Sequence, residues 1–493
     1  MLLRQTLLYL PSQLAGPAMQ FLFAIVWTHW LTDVEYGRLT FLIASQELIF
    51  LCCVSWWSLF VLRYFGGAGE ENARAVLSSE PGLLEATCIP QIILNVVILA
   101  SLRELNDLHL VVSSTAYVIG RSFVVYFGER ARTKSNIALY TIAQIGALSA
   151  GGVLGFLLVA LVSPTASSVL TGFAIAHLLV ALWLVGKLRI GRSDRKLDGA
   201  LVRKAVAFGL PLVVAGAVNW FNLNGIRVVM EAMGGATAVG LLAVGWGLGQ
   251  RLATTAAMFV TMAAFPLAAR SLEEGERSTA LRQMRHGGTM LVGIVLPAAV
   301  GLCLITAPFT HLLISEPFRE ITIAIMPVAV MTGAIRNIRV HYADMAFILF
   351  ERTTLSVVVN CVEAVLMIAF CASGYWHGEI FGSVVGACVA STLAAALAFI
   401  IAWRFGLPMP LMDWARIGLA AGAMAVVLLE LPSAVSSLPD LPQIVVRVSL
   451  GVLTYAVCIV ALFPVRVRQA AGELIRPSIG EKPGALKPAS GKI

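Results

Sequence analysis

Charge is scarce in this chain. Only 13% of its 493 residues are Asp, Glu, Lys or Arg, about half of the ~25% typical of soluble globular proteins. With 59% hydrophobic residues and a mean hydropathy of +0.87, the surface cannot be dressed for water, and lipid must be its main solvent. Catalytic signatures are missing too. There is no GxxxxGK[ST] phosphate loop, no HExxH and no GxSxG, and the longest outward loops, near His311–Glu320 and Leu431–Gln443, are too short to fold into a catalytic domain. The chain is therefore not expected to be an enzyme. Gly245-Trp-Gly-Leu-Gly249 has dinucleotide-like spacing but lies in an apolar run with no preceding strand, where close helix packing is its expected use. The eight cysteines (Cys52, Cys53, Cys88, Cys303, Cys361, Cys371, Cys388 and Cys458) sit in apolar runs without CxxC or Cys/His spacing. They read as small core residues, not as disulfides or metal ligands. No metal and no cofactor is expected beyond H⁺ or Na⁺ as a coupling ion. The net charge of +8 does not gather on one soluble surface, so nucleic acid is not an expected partner.

What the chain has in abundance is apolar runs of about 20 residues or more, the length that crosses a bilayer. They fall near 7–30, 39–62, 81–101, 109–128, 138–162, 166–186, 206–230, 237–266, 288–309, 321–349, 354–374, 380–403, 415–431 and 443–464. The fold class that follows is an all-α polytopic membrane protein of about 14 transmembrane helices. The first run is expected to be retained, because it contains Pro11 and Gly16 and lacks a small-x-small cleavage site. Lys and Arg set the orientation. Of the 35, only Arg38, Arg103 and Arg319 fall in odd-numbered loops, and Arg121, Arg227, Arg251, Arg336, Arg339 and Arg447 fall within runs. The rest lie at the N-terminus, in the even loops and at the C-terminus, which places those and both termini in the cytoplasm of a bacterial inner membrane.

An internal repeat divides the chain. Leu10-Pro11, Ala15-Gly16 and Phe21 recur 200 positions later as Leu210-Pro211, Ala215-Gly216 and Phe221, and Arg4 matches Lys204. Further on, Tyr36-Gly37 resembles Val239-Gly240 with a slip of three residues. Between the copies lies a loop with seven basic residues, Lys187 to Lys204. The expected organisation is a six-helix bundle over 1–186, a basic interlobe loop over 187–204, a second six-helix bundle over 205–403, two extra helices over 404–464 and a mobile cytoplasmic tail over 465–493. Two same-orientation bundles around a central cavity suggest a transporter that works by rocking one half against the other.

Ionised residues inside a membrane normally face a cavity or a partner, since even lenient scales charge about 2.5–3.5 kcal/mol for each at mid-bilayer. Arg251 stands in the eighth run, and Arg336 and Arg339 stand in the tenth. The latter also carries Asn337, His341 and Asp344, which at ~100° per residue form one polar face. These three arginines are the first candidates for a cationic binding surface. For Arg227, a salt bridge to Glu231 four residues on and a cavity role are both open. For Arg121, pairing with an N-terminal-half carboxylate and a cavity role are likewise both open. Arg447 sits near enough to a span end to snorkel. The embedded carboxylates Glu47, Asp344 and Glu363 are candidates either for pairing these cations or for coupling to H⁺ or Na⁺.

The opening helix Tyr9-Leu-Pro-Ser-Gln-Leu-Ala-Gly16, then Trp27-Thr-His-Trp-Leu31 leading to Val34-Glu-Tyr-Gly37, resembles the Wzx-type oligosaccharide flippases of the multidrug/oligosaccharidyl-lipid/polysaccharide (MOP) exporter superfamily. In motif the resemblance covers about the first 60 residues; in topology it covers the whole chain. It implies two six-helix bundles around a cavity that opens alternately to either side. It further implies a polyprenyl-diphosphate-linked oligosaccharide as cargo, for exopolysaccharide or lipopolysaccharide assembly beside a polymerase or export complex. Arginine suits that cargo, because its planar fork holds phosphate oxygens bidentately, and Trp246, Trp220 and Tyr342 are candidates to stack on sugars. An ion-coupled drug exporter of the same superfamily, or a membrane-embedded synthase component, would be the alternatives. A topology reporter fused after Lys196 should behave as cytoplasmic and one near Ser436 as periplasmic. Both reporters on one side would overturn the span count.

Overall fold

Where the chain passes through lipid, no water is available to pair its N–H and C=O groups, so each apolar run must close its own hydrogen bonds as a helix. The computed structural model describes residues 16, 18–65, 70–133, 136–190, 197–432, 435 and 437–465, and among these there is no strand. The Leu10-Pro11 half of the repeat, the centre of the basic loop and the C-terminal tail lie outside the described residues. The helices are α1 (18–30), α2 (Asp33–Cys53), α3 (Ser55–Tyr64), α4 (Glu70–Ser101), α5 (Leu108–Arg132), α6 (Ile137–Leu161) and α7 (Ala166–Leu188). The helix Gly199–Glu273 breaks at Gly235 into α8 (199–234) and α9 (236–273). Then follow α10 (Arg277–Leu313), α11 (Glu316–Leu349), α12 (353–377) and α13 (380–404), parted by non-helical Gly378 and Glu379 within Thr353–Arg404. Last come α14 (Leu411–Leu429) and α15 (Asp440–Leu462). Eleven stretches are long and apolar enough to cross a bilayer. Two of these hold two spans each, so with α1 the crossings match the 14 runs read from the sequence.

Local chemistry sets several boundaries. The side chains of Thr32, Asp107, Thr165 and Asp198 accept hydrogen bonds from the first-turn amides of α2, α5, α7 and α8, the N-cap geometry that these residue types favour. Gly235 turns the chain between α8 and α9 at φ +68°, a conformation that glycine adopts without steric cost. Packing then sorts the helices. In the first half α7 lies against both α5 and α6; in the second, α8 and α9 lie against α10, α11 and the α12–α13 hairpin.

The two halves meet along α2 and α3. Trp220 Nε1 donates to Ala44 O at 3.0 Å, Gly216 faces Leu51, and Gly209 faces the backbone of Trp56. At the end of this seam bearing the first loop, α2 and α9 cross at backbone contact. A Cβ on Gly37 would run into the Ala236 carbonyl, and one on Gly240 into that of Asp33. The contact is reciprocal, as a two-fold axis through the crossing requires. It pairs the two dipeptides, Tyr36-Gly37 and Val239-Gly240, that the sequence repeat matched with a slip of three. Tyr36 packs edge-on against Phe318 at 5.6 Å beside it, and Ser315 Oγ donates to Thr28 O. The halves are thus closed against each other at this end.

The C-terminal pair α14–α15 packs on α10. Pro297 and Pro308 lie inside α10, and proline, lacking an N–H, leaves the carbonyl four residues earlier without its helical donor. Both freed carbonyls are met from α15. Tyr455 Oη donates to Gly293 O at 2.7 Å, and Arg447 Nη1 donates to Leu304 O at 2.8 Å. Arg447 therefore turns inward to a helix carbonyl instead of snorkelling as its position in sequence suggested. The α2–α9 crossing yields a direct expectation. Gly37→Val should force the helices apart and raise labelling of a cysteine at Thr40, one turn along α2, by a membrane-impermeant thiol reagent. Unchanged labelling would show that the crossing does not seal that end.

Candidate functional site

Below the crossing lies a partly open cavity of about 130 Å³. Its walls come from α1, α2, α5, α6 and α7 on one side and from α8 and α9 on the other. Four of the eight charged residues singled out in the sequence line it: Arg121, Arg227, Arg251 and Glu47. The three arginines are half-buried and Glu47 is exposed to the cavity space. Arg227 Nη1 donates to Asn224 Oδ1 at 2.7 Å, so it does not make the helical salt bridge to Glu231 that the sequence left open. Its Nε and Arg121 Nη1 are buried without a partner among the described residues. None of the three arginines makes an ion pair with a described carboxylate, and neither does Glu47 with a described cation. One carboxylate thus faces three cations in a space walled by protein, a net surplus of positive charge that only water or an anion can balance.

The sequence did not reveal the rest of the lining. Gln20, Trp27, Tyr36, Gln46 and Tyr117 also face the cavity, with Gln46 anchored by a hydrogen bond to Ser122. Their shared signal is only an uncharged polar or aromatic residue in an apolar run, which many packed residues also show. The aromatics suggested for sugar stacking lie elsewhere. Trp220 spends its N–H on Ala44, Tyr342 donates to Pro408 O, and Trp246 is core of the second half.

Arg336, Arg339, Asp344 and Glu363 are not among the cavity residues. They form a separate buried network in the second half. Arg339 Nη1 meets Glu363 Oε2 at 2.7 Å, its Nη2 donates to Asn360 Oδ1 at 2.9 Å, and its Nε lies 3.6 Å from Asp344 Oδ2. Arg336 donates to Asn219 Oδ1 and to Asn222 O, and its Nε stands 4.0 Å from Glu363 Oε1. Ser391 Oγ donates to that same Oε1 at 3.0 Å. Two cations and two carboxylates balance, and both oxygens of Glu363 are already engaged. Arg336 and Arg339 depart from the sequence reading because partners on α8 and α12 take them up, and helix type adds Asp344. Residues Arg339–Asp344 form a π-helix, whose wider turn brings residues i and i+5 to one side, so Asp344 swings onto Arg339. The ~100° rule that aligned Asp344 with Asn337 stops applying at this point. A second such pair escaped the sequence reading, which counted Arg130 among loop charges. Arg130 Nε donates to fully buried Glu80 at 3.1 Å, and its guanidinium stacks 3.7 Å from the centre of the Phe65 ring.

This architecture has known counterparts. A lipid II flippase, MurJ, in an inward closed conformation superimposes with a TM-score of 0.73 at 12% identity, covering 94% of this chain and 100% of that one. A multidrug resistance MATE family transporter of the MOP superfamily, inward-facing, gives 0.53 at 15% identity over 79% of this chain and 94% of that one. A Vibrio cholerae MATE transporter gives 0.52 at 15% over 81% and 95%. The chain has the MOP exporter fold. The fold implied by the resemblance read from residues 9–37 is thereby borne out. A family model described as "Polysaccharide biosynthesis protein" matches residues 98–323, a stretch of the MOP fold that runs from the end of α4 into α11. No curated protein matches the sequence.

The two arginine groups predict opposite outcomes. Arg339→Ala strands Glu363 in the core and should cost about 3–5 kcal/mol, the usual penalty for breaking a buried pair, seen as loss of protein from membranes. Removing Arg339 and Glu363 together, as Met and Leu, should restore abundance. Arg251→Ala orphans no described carboxylate and should leave abundance near wild type. Equal abundance of Arg339→Ala and Arg251→Ala would refute this division.

Proposed function

We propose that the protein is a flippase that carries a polyprenyl-diphosphate-linked oligosaccharide from the cytoplasmic to the periplasmic leaflet of a bacterial inner membrane, by alternating access. The observation that carries this reading is the cavity with Arg121, Arg227 and Arg251 against the single carboxylate Glu47. A diphosphate matches that surplus, and guanidinium forks remain charged at any physiological pH. A site for cationic drugs would need the opposite balance. The match to a polysaccharide-biosynthesis family model over 98–323 supports an oligosaccharide cargo destined for exopolysaccharide or lipopolysaccharide, beside a polymerase or export complex. The basic loop from Lys187 to Lys204 supports placing that face and both termini in the cytoplasm.

In this scheme the wet cationic cavity takes the diphosphate and sugars while the prenyl chain stays in lipid. The seal at Gly37 and Gly240 holds the outward side shut until the halves rock. Of the three carboxylates considered for H⁺ or Na⁺ coupling, Glu47 is the one in the cavity, free of a direct ion pair with any described residue. Asp344 and Glu363 serve the balanced network. The test is surface polysaccharide in a deletion strain complemented with Arg251→Ala or Arg251→Lys, at matched membrane abundance. Ala should abolish export, and Lys, which keeps charge but loses the fork, should restore it only in part. Full export by Arg121→Ala, Arg227→Ala and Arg251→Ala alike would refute the proposal.

A further inference from the structure

A second concavity lies on the outer wall of the first half, between α2–α3 and α4. It is open to one side, has a volume of about 490 Å³ and is lined by Cys52, Trp56, Leu83, Thr87, Pro90 and Leu94 among others. From Leu83 to Leu94 it runs along roughly 16 Å of helix at ~1.5 Å per residue. That is the depth of one leaflet's hydrocarbon, about half of a ~30 Å core. Thr87 has turned its hydroxyl to the Leu84 carbonyl, so the groove presents an almost wholly apolar wall to lipid.

At the end of the groove nearest the basic loop stand two exposed cations. Arg63 follows Trp56 by two turns of α3 and lies on the same face. Its guanidinium carbon is 6.0 Å from the centre of the Tyr64 ring, and Lys204 Nζ on α8 is 5.4 Å from that same ring. Tyr64 is itself held by Phe60 and Phe208, at 4.9 and 5.4 Å. Neither cation has a carboxylate partner among the described residues. The pair straddles the seam between the halves, one charge from each side.

We propose that this groove binds one anionic glycerophospholipid of the leaflet facing the basic loop. An acyl chain lies along α4, and the phosphate sits between Arg63 and Lys204 at headgroup level, where each basic residue contributes attraction to anionic lipid. The geometry favours a resident phospholipid over the flippase cargo. Five residues separate Glu47 from Cys52, about 140° around α2 at ~100° each, so the groove and the cavity occupy different walls of that helix. A lipid seated in the groove cannot place its phosphate among the cavity arginines. Its single-leaflet length also suits an acyl chain. With one cation from each half, the bound phosphate ties the seam together at the end opposite the Gly37–Gly240 crossing.

Cys52 is an exposed free thiol in this groove, and Cys361 on α12 is another exposed thiol outside it, so the protein carries its own probe and reference. The intact protein would be reconstituted in phosphatidylcholine vesicles with and without phosphatidylglycerol and treated with a lipid-soluble maleimide. Labelling would be read at each cysteine by peptide mass spectrometry. Phosphatidylglycerol should lower Cys52 labelling several-fold relative to Cys361, and the Arg63→Gln/Lys204→Gln variant should lose that protection. Equal Cys52 labelling in both vesicles would overturn the proposal, and this arm needs no variant to fold. Protection that survives loss of both cations would overturn the phosphate seat. Protection by a polyprenyl diphosphate but not by phosphatidylglycerol would replace the resident lipid with a capture site for cargo.

Discussion

A guanidinium with no carboxylate beside it, inside a protein surrounded by lipid, has to be kept wet. Most of this architecture can be understood from that constraint. The walls around Arg121, Arg227 and Arg251 come from both halves of the chain, so the space that hydrates them exists only while the halves are assembled. The glycine crossing closes one end of that space at backbone distance. Apolar faces are turned to lipid or to a neighbouring helix, and three intramembrane arginines without a described carboxylate partner are gathered around this one space. An unpaired charge that costs several kcal/mol in hydrocarbon becomes tolerable when protein encloses water around it.

The second half solves the same problem by the opposite route. Arg336 and Arg339 are more fully buried than the cavity arginines, and Glu363 and Asp344 balance their charge while Asn219, Asn222 and Asn360 accept their hydrogen bonds. Such a network joins α8, α11, α12 and α13 into one body through bonds that cannot be exchanged with water. One half of the molecule is therefore braced by charge, while the cavity beside it holds charge in reserve. The proposed rocking of one half against the other would use both: a rigid part to transmit motion and a site whose electrostatics are still unspent.

Much of this was legible from sequence. Long apolar runs and the shortage of charge led to the helical membrane architecture, because in lipid the backbone leaves no other choice. The resemblance in residues 9–37 led to the right fold. Intramembrane charge singled out the residues that the structure divides between the cavity and the buried network, but not their grouping. Arg251 entered the cavity as expected. Arg121 and Arg227, open between two roles, joined it, whereas Arg336 and Arg339 went to the balanced network. Two features escaped an argument built on 3.6 residues per turn: Glu363 of α12 meets Arg339 at 2.7 Å, and a π-turn at Arg339–Asp344 brings Asp344 onto Arg339. Arg130 was missed because its partner Glu80 lies 50 residues away, on another helix, and only packing reveals which distant charges meet.

The two proline-freed carbonyls of α10 carry a consequence for biogenesis. Gly293 O and Leu304 O lose their own helix's donors when Pro297 and Pro308 are built in, and the groups that reach them belong to α15. While the chain emerges, α10 is made well before Tyr455 and Arg447 exist, so it waits in the membrane with two bare acceptors. The helix reaches its final shape only when the C-terminal pair arrives. Closure of those two hydrogen bonds is thereby deferred until α15 has been made, and α14–α15 act as a later fastening on α10.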